Sequence, residues 1–182
     1  SGILTQFLYV GMQTAVWSFT IRLALQLDHG LNERTASNFM IFSFIGFFLG
    51  KLLANILMTR FNQDLVLVGY SVCGLGALVY VILVPNMTAV YAAVLVSFLF
   101  GPCWATIYSR TLDSVKDKRY TETGGAIIVM SIIGGAVIPA VQGLVSDLTG
   151  SMQVSFAVNL FCFGAVFMYF YFSYKTSQKA EI

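Results

Sequence analysis

Six long apolar runs, separated by short polar connections, set the pattern of this chain. They cover approximately residues 3–26, 35–58, 65–84, 88–109, 123–145 and 153–174. Each is continuous, and each reaches the ~20 residues that a helix needs to cross a ~30 Å hydrocarbon core at ~1.5 Å per residue. Barrel strands would alternate over ~10 residues instead. The pattern predicts six membrane-spanning helices in one bundle. Asp28 to Arg34, Thr59 to Asp64, Pro85-Asn86, Arg110 to Thr121 and Val145 to Ser151 connect them. Links this short make successive helices antiparallel neighbours.

The first run departs from a plain lipid-facing helix. Tyr9, Gln13 and Trp17 recur every four residues and fall toward one helical side, with Gln6 and Thr20 close to it. An unpartnered amide in hydrocarbon costs several kcal/mol, so this side is expected to point away from lipid. Two readings satisfy the pattern: hydrogen-bonding glue between helices, or the wall of a polar substrate path.

The other runs carry fewer signals. The second holds Asn38 near one end, with Lys51 and Asn55 toward the other. Lys51 lies about two turns from the water and is expected to snorkel, with an ion-path role as the alternative. The third has Gly69, Gly74 and Gly76 but almost no strong polar groups, and reads as a packing or lipid-facing helix. The fourth contains Gly101-Pro102-Cys103-Trp104 and Tyr108; the proline lacks a backbone donor, which predicts a kink at membrane depth. In the fifth, Gly124, Gly125, Gly134 and Gly135 permit close approach, and Pro139 permits bending, so it reads as a moving or a tightly packed helix. The sixth is bulky and aromatic from Phe161 to Phe172 and is expected to face lipid.

Composition agrees with the pattern. Of the 182 residues, 58% are hydrophobic and only 10% charged, against ~25% charged in an average soluble domain. The chain is therefore read as an integral membrane protein of all-α class. A net charge of +2 is too small to indicate nucleic acid. The placement of positive charge says more. Arg60, Arg110, Lys116, Lys118, Arg119, Lys175 and Lys179 fall in the second and fourth connections and the tail, while the other connections hold only Arg34. The positive-inside rule then puts both ends of the chain in the cytoplasm, in a multi-pass protein of the cell (inner or plasma) membrane. The opening Ser1-Gly2 has no basic leader or cleavage site, which suggests a truncated product.

Several chemistries find no support. The single histidine, His29, lies in a connection, and Cys73, Cys103 and Cys162 each fall in apolar runs, so neither a metal site nor a disulfide framework is expected. No cofactor is implied. The eight acidic residues map to connections, helix ends or the tail, with none at mid-membrane. Ion-driven transporters usually place an ionisable group within the spans. Coupling is then either absent or carried by another polypeptide. Ser18 and Ser131 have no histidine or buried acid near them in sequence, and an enzyme is not expected.

The run from Thr5 to Ser18 resembles the seventh helix of the fucose permease family, the fucose–galactose–glucose proton symporters of the major facilitator superfamily. The run from Ile128 to Gly135, followed by Pro139, Gly143 and Ser146-Asp147, is similar to the eleventh helix of that family. The order and spacing agree, so the resemblance covers essentially the whole chain. It implies the carboxy-terminal six-helix half of a twelve-helix transporter, with residues 1–182 as one bundle and the proton-coupling carboxylates in a missing amino-terminal half. It also implies monosaccharide transport by alternating access. Residue by residue, Gln13 and Trp17 match a cavity-facing amide and tryptophan, and Asn38 an asparagine early in the eighth helix. Cys103 and Trp104 fall where family members that carry L-fucose have a polar residue and an aromatic; the cysteine departs from that pattern. The superfamily's glycine–aspartate–arginine signature is degenerate here, with Gly50 and Arg60 but no acid.

The expected partners are a monosaccharide, a proton or sodium ion, the lipid bilayer and the missing half. Sugar hydroxyls need amide or hydroxyl partners, and the apolar sugar face needs an aromatic surface, which suits Gln13, Asn38, Trp17 and Trp104. The rival readings are a self-assembling six-helix facilitator or channel, and a membrane sensor that binds sugar without moving it.

Overall fold

The computed structural model describes residues 2–113 and 120–180. Lys116, Lys118 and Arg119, used above for topology, lie outside the described residues, and so does the side chain of Lys179. All of the regular structure among the described residues is helical. The segments are α1 (Gly2–Leu27), α2 (Glu33–Ala36), α3 (Asn38–Met58), α4 (Gln63–Leu83), α5 (Thr88–Leu99), α6 (Cys103–Asp113), α7 (Thr121–Met130), α8 (Gly134–Thr149), α9 (Met152–Ser155) and α10 (Ala157–Ala180). Helices satisfy their own backbone groups, as any segment facing hydrocarbon must. Five runs are long and apolar enough to cross a membrane: 33–58, 63–83, 88–113, 121–149 and 152–177. With α1, 26 residues long, they make six bundle helices.

α1 runs through the centre of the bundle and packs on α8, α10, α6, α5 and α3. Its buried residues include Tyr9, Met12, Ala15, Val16, Phe19 and Leu23. The crossing with α8 is set by glycine. A Cβ on Gly11 would lie 2.7 Å from the Gly134 carbonyl oxygen and collide with Ile138, and one on Gly134 would collide with the carbonyl of Phe7. Two backbones in contact gain dispersion that larger side chains would forbid.

The fourth run does more than kink. α5 stops at Leu99 and α6 begins at Cys103, leaving Phe100-Gly101-Pro102 between them. Proline alone explains a lost donor. The full break follows from Gly101 as well, where a Cβ would lie 2.7 Å from the Phe47 carbonyl oxygen of α3. α3 and α5 touch closely enough here that residue 50 must also be glycine, against the Phe98 carbonyl.

The fifth run changes from α to 3-10 geometry before its proline. A single 3-10 turn, Ser131–Ile133, separates α7 from α8, and Pro139 sits inside α8. The Ser131 hydroxyl donates to the Ile128 carbonyl one 3-10 step back.

The sixth run corrects the expectation of a lipid-facing helix. Cys162, Phe163, Val166 and Phe170 are fully buried, while Phe161, Met168 and Phe172 are exposed. Phe163 fills the space beside Gly74 of α4, where a Cβ would collide with its ring. Aromatic content told of size, not of direction.

Candidate functional site

The polar file of α1 divides. Four residues turn a 3.6-residue helix by about 40° beyond a full circle, so a four-residue repeat drifts round the axis. Tyr9 ends up in the core, with Gln6 and Thr20 buried as well. Gln13, Thr14 and Trp17 are half-buried and Ser18 is exposed, on the side the bundle leaves open. The Thr20 hydroxyl satisfies itself on the Val16 carbonyl at 2.6 Å, and Thr14 does the same on Val10 at 2.9 Å.

Trp17 stands in an aromatic cradle. Its ring meets Phe44 at 4.7 Å and Phe47 at 5.5 Å, both edge-on, and Phe100 at 6.0 Å. Phe44 and Phe47 sit three apart on α3 and so share a face. Its indole Nε1 is buried with no acceptor among the described residues. Phe100 is itself held from behind: Tyr9 donates its hydroxyl to the Phe100 carbonyl at 2.9 Å, and the two rings meet edge-on at 6.1 Å. The same carbonyl accepts from the Cys103 N–H at 3.2 Å. The break that frees this carbonyl in the middle of the bundle therefore leaves it satisfied, and the tyrosine ties α1 to it.

The remaining residues singled out by the sequence fall in different surroundings. Trp104 is half-buried and stacks on Tyr108, with ring centroids 5.3 Å apart and planes within 7°. Cys103 is fully buried, so its thiol belongs to the core and not to the open face. Asn38 is exposed in the first turn of α3, six residues before Phe44. Gln13 and Trp17 share the open side of α1. The structure thus groups Gln13, Trp17 and the break before Trp104, and leaves Asn38 at the margin. Sequence reading missed Phe44, Phe47 and Phe100 as the cradle; the three-residue spacing on α3 and a phenylalanine directly before Gly-Pro were the available signals.

Two further polar groupings tie the ends of the helices. At one end, Asp64 of α4 pairs with Arg110 of α6. Arg110 donates to the Ser173 hydroxyl at 2.6 Å, and Ser177 donates to Asp64 Oδ2 at 3.1 Å, both from α10. Asp64, read from the sequence as the last residue of a connection, sits in the first turn of α4 and is buried. At the other end, Gln153 of α9 donates to the Val81 and Val84 carbonyls at 3.0 and 2.6 Å, closing α4. Asn159 donates to Gln142 at 2.8 Å, and Gln142 donates to Ser155 at 3.2 Å; all three are fully buried. The Met152 N–H donates to Gln26 of α1 at 3.0 Å.

Comparison with known proteins agrees with this architecture. A family model described as Major Facilitator Superfamily matches residues 2–181. The L-fucose-proton symporter of Escherichia coli (strain K12) is 30% identical over 178 residues, which are 97% of this chain and 40% of that protein. A putative glucose/galactose transporter of Helicobacter pylori (strain ATCC 700392 / 26695) is 24% identical over 183 residues, 98% of this chain and 44% of that protein. The crystal structure of FucP, a Major Facilitator Superfamily transporter in the outward conformation, superposes with a TM-score of 0.87 at 31% identity. That match covers 94% of this chain and 41% of FucP. The chain thus spans less than half the length of the relatives it matches.

Proposed function

The chain belongs to the Major Facilitator Superfamily, and on that premise we propose that it forms the carboxy-terminal six-helix half of a monosaccharide transporter. One observation carries the reading: the open side of the central helix presents Gln13, Thr14, Trp17 and Ser18 beside an aromatic cradle. A path for a neutral sugar needs those two ingredients together. Amide and hydroxyl groups exchange hydrogen bonds with sugar hydroxyls, and an aromatic ring covers the apolar sugar face. The names of the relatives, an L-fucose-proton symporter and a glucose/galactose transporter, support a sugar and, for the first, a proton.

In this reading Gln13 is the principal hydroxyl partner and Trp17 the stacking surface. Trp104 contributes a second aromatic wall at the start of α6. Asn38 meets the sugar at the mouth of the path, and Cys103 shapes the wall by packing. The coupling carboxylates, with a proton as the driving ion, reside in an amino-terminal half that closes over this face. Rocking of the two halves alternates access. Arg60, Arg110 and Lys175 gather at one end of the bundle, which orients that end and both termini toward the cytoplasm.

The experiment is uptake of labelled monosaccharides into vesicles, by the chain alone and by the chain joined to the amino-terminal half of a relative. Coupled uptake by the joined protein only is the expected result. Saturable uptake by the 182 residues alone would mean a self-assembling facilitator. In the joined protein, Gln13→Ala removes a hydroxyl partner and raises the half-saturating sugar concentration by about 2- to 10-fold. Unchanged kinetics would remove Gln13 from the path.

A further inference from the structure

Below the break, the face of α3 that holds the cradle continues as a polar pocket. Phe44, Phe47, Lys51 and Asn55 follow at steps of three and four residues and share a side of the helix. The Lys51 ammonium lies 5.7 Å from the Phe47 ring centroid, and Phe47 lies 5.5 Å from Trp17, so one ring separates the lysine from the proposed sugar-stacking surface. There α3, α6 and the start of α4 line an open hollow of about 480 Å³, with Lys51, Asn55, Gln63, Pro102, Thr106 and Ser109 among its lining and Lys51, Asn55 and Ser109 exposed. Small-molecule sites fall in the range of about 300–1,000 Å³. Pro102, which ends the break, is part of this lining, so the pocket begins where the cradle stops.

Its chemistry is that of a hydroxyl-binding site. Thr106 spends its own proton on the Pro102 carbonyl at 3.2 Å and keeps its lone pairs. Asn55 makes no hydrogen bond and Lys51 no ion pair among the described residues, which leaves an amide and three ammonium protons free. Among the described residues Ser109 holds only a long, 3.5 Å bond to Asp113. Snorkelling accounts for where the Lys51 ammonium goes. It does not account for the amide and two hydroxyls gathered round the same space.

We propose that this pocket is a second sugar-contact station, met after Trp17 on the way to the Arg110 end, with Asn55, Ser109 and Lys51 as its hydroxyl partners. The proposal rests on the sugar-transport reading above. A sugar leaving an aromatic surface for water loses contacts before it gains hydration; a ring of amide, hydroxyl and ammonium groups at that point lowers the barrier to release. The station therefore acts on one side of the membrane only.

The test measures both directions in proteoliposomes carrying the joined protein. Asn55→Ala and Ser109→Ala each raise the half-saturating internal sugar for efflux by about 2- to 10-fold, the worth of one hydrogen bond. The half-saturating external sugar for uptake stays as it was. Asn55→Ser, which keeps a hydroxyl, recovers part of the loss, and Leu53→Ala, exposed on α3 outside this lining, leaves both constants alone. If the two constants move together, or neither moves, the station does not exist. Rates that follow the anionic lipid content of the vesicle while both constants hold would give the pocket to a lipid headgroup and overturn the proposal. An unmodified joined protein that moves no sugar overturns the parent reading first, and this one with it.

Discussion

The two ends of the bundle are fastened by different chemistry. At the Arg110 end a carboxylate and a guanidinium pair across α4 and α6, with one hydroxyl of α10 on each partner. At the Gln153 end the fasteners are neutral, with amides donating to carbonyls, amides and a hydroxyl among α4, α8, α9 and α10. A neutral network loses its bonds one at a time, each worth about 0.5–1.5 kcal/mol net. A half-removed ion pair leaves a charge with no compensation, at a cost of about 3–5 kcal/mol when buried. The difference teaches where the bundle can yield gradually and where it holds or fails as a unit. A cavity of about 750 Å³ opens beside the ionic fastener, lined in part by Arg110, Asp113, Ser173 and Ser177, so the clasp stands at the edge of water.

The comparison breaks most sharply at Asp64. Asp64→Asn takes the carboxylate from the Arg110 guanidinium and is expected to cost about 3 kcal/mol, the lower end for a buried pair, because Arg110 keeps the Ser173 hydroxyl and 22% of its side-chain exposure. Thermal unfolding in detergent reads the loss. Adding Arg110→Gln returns part of the stability, and a double variant no better than the single one would show that no pair exists. Gln142→Leu is next: it takes the acceptor from Asn159 and the donor from Ser155, for about 1–3 kcal/mol by the same measurement. Gln153→Ala frees the Val81 and Val84 carbonyls at a helix end near water. The expected cost is about 1 kcal/mol, with faster amide exchange confined to the last turn of α4. Spread of that exchange along the helix would make the neutral end cooperative after all. Smallest is Ser177→Ala, about 0.5–1 kcal/mol, since Asp64 keeps its guanidinium.

Five of the spans were legible because each needs nothing beyond apolar length, and the candidate spans among the described residues fall on those apolar runs. α1 was legible as exceptional for the opposite reason, its polar file. What the sequence withheld was direction. Tyr9 and Trp17 belong to one four-residue repeat, yet the first is fully buried and the second half-buried. The ring of Phe163 is buried and that of Phe161 exposed, two residues apart in an unbroken aromatic run. Asp64 and Arg110 each read as connection residues; only the packing of α4 on α10 and the course of α6 bring them into one pair. Gln142, Ser155 and Asn159 gave no periodic signal, since they come from three helices. Of the site residues, Gln13 and Trp17 were visible in a single helix, whereas the cradle needed α1, α3 and the break together.

The chain holds two tryptophans, and only Trp17 is set among three phenylalanine rings. With its indole N–H unpaired among the described residues and phenylalanine rings around it, Trp17 is expected to emit at the blue end of the indole range. Replacing Trp104 by phenylalanine leaves one fluorophore at the centre of the bundle. Its colour and its access to a water-borne quencher then report, in real time and without any label, whether the open side of α1 is wet, covered or occupied.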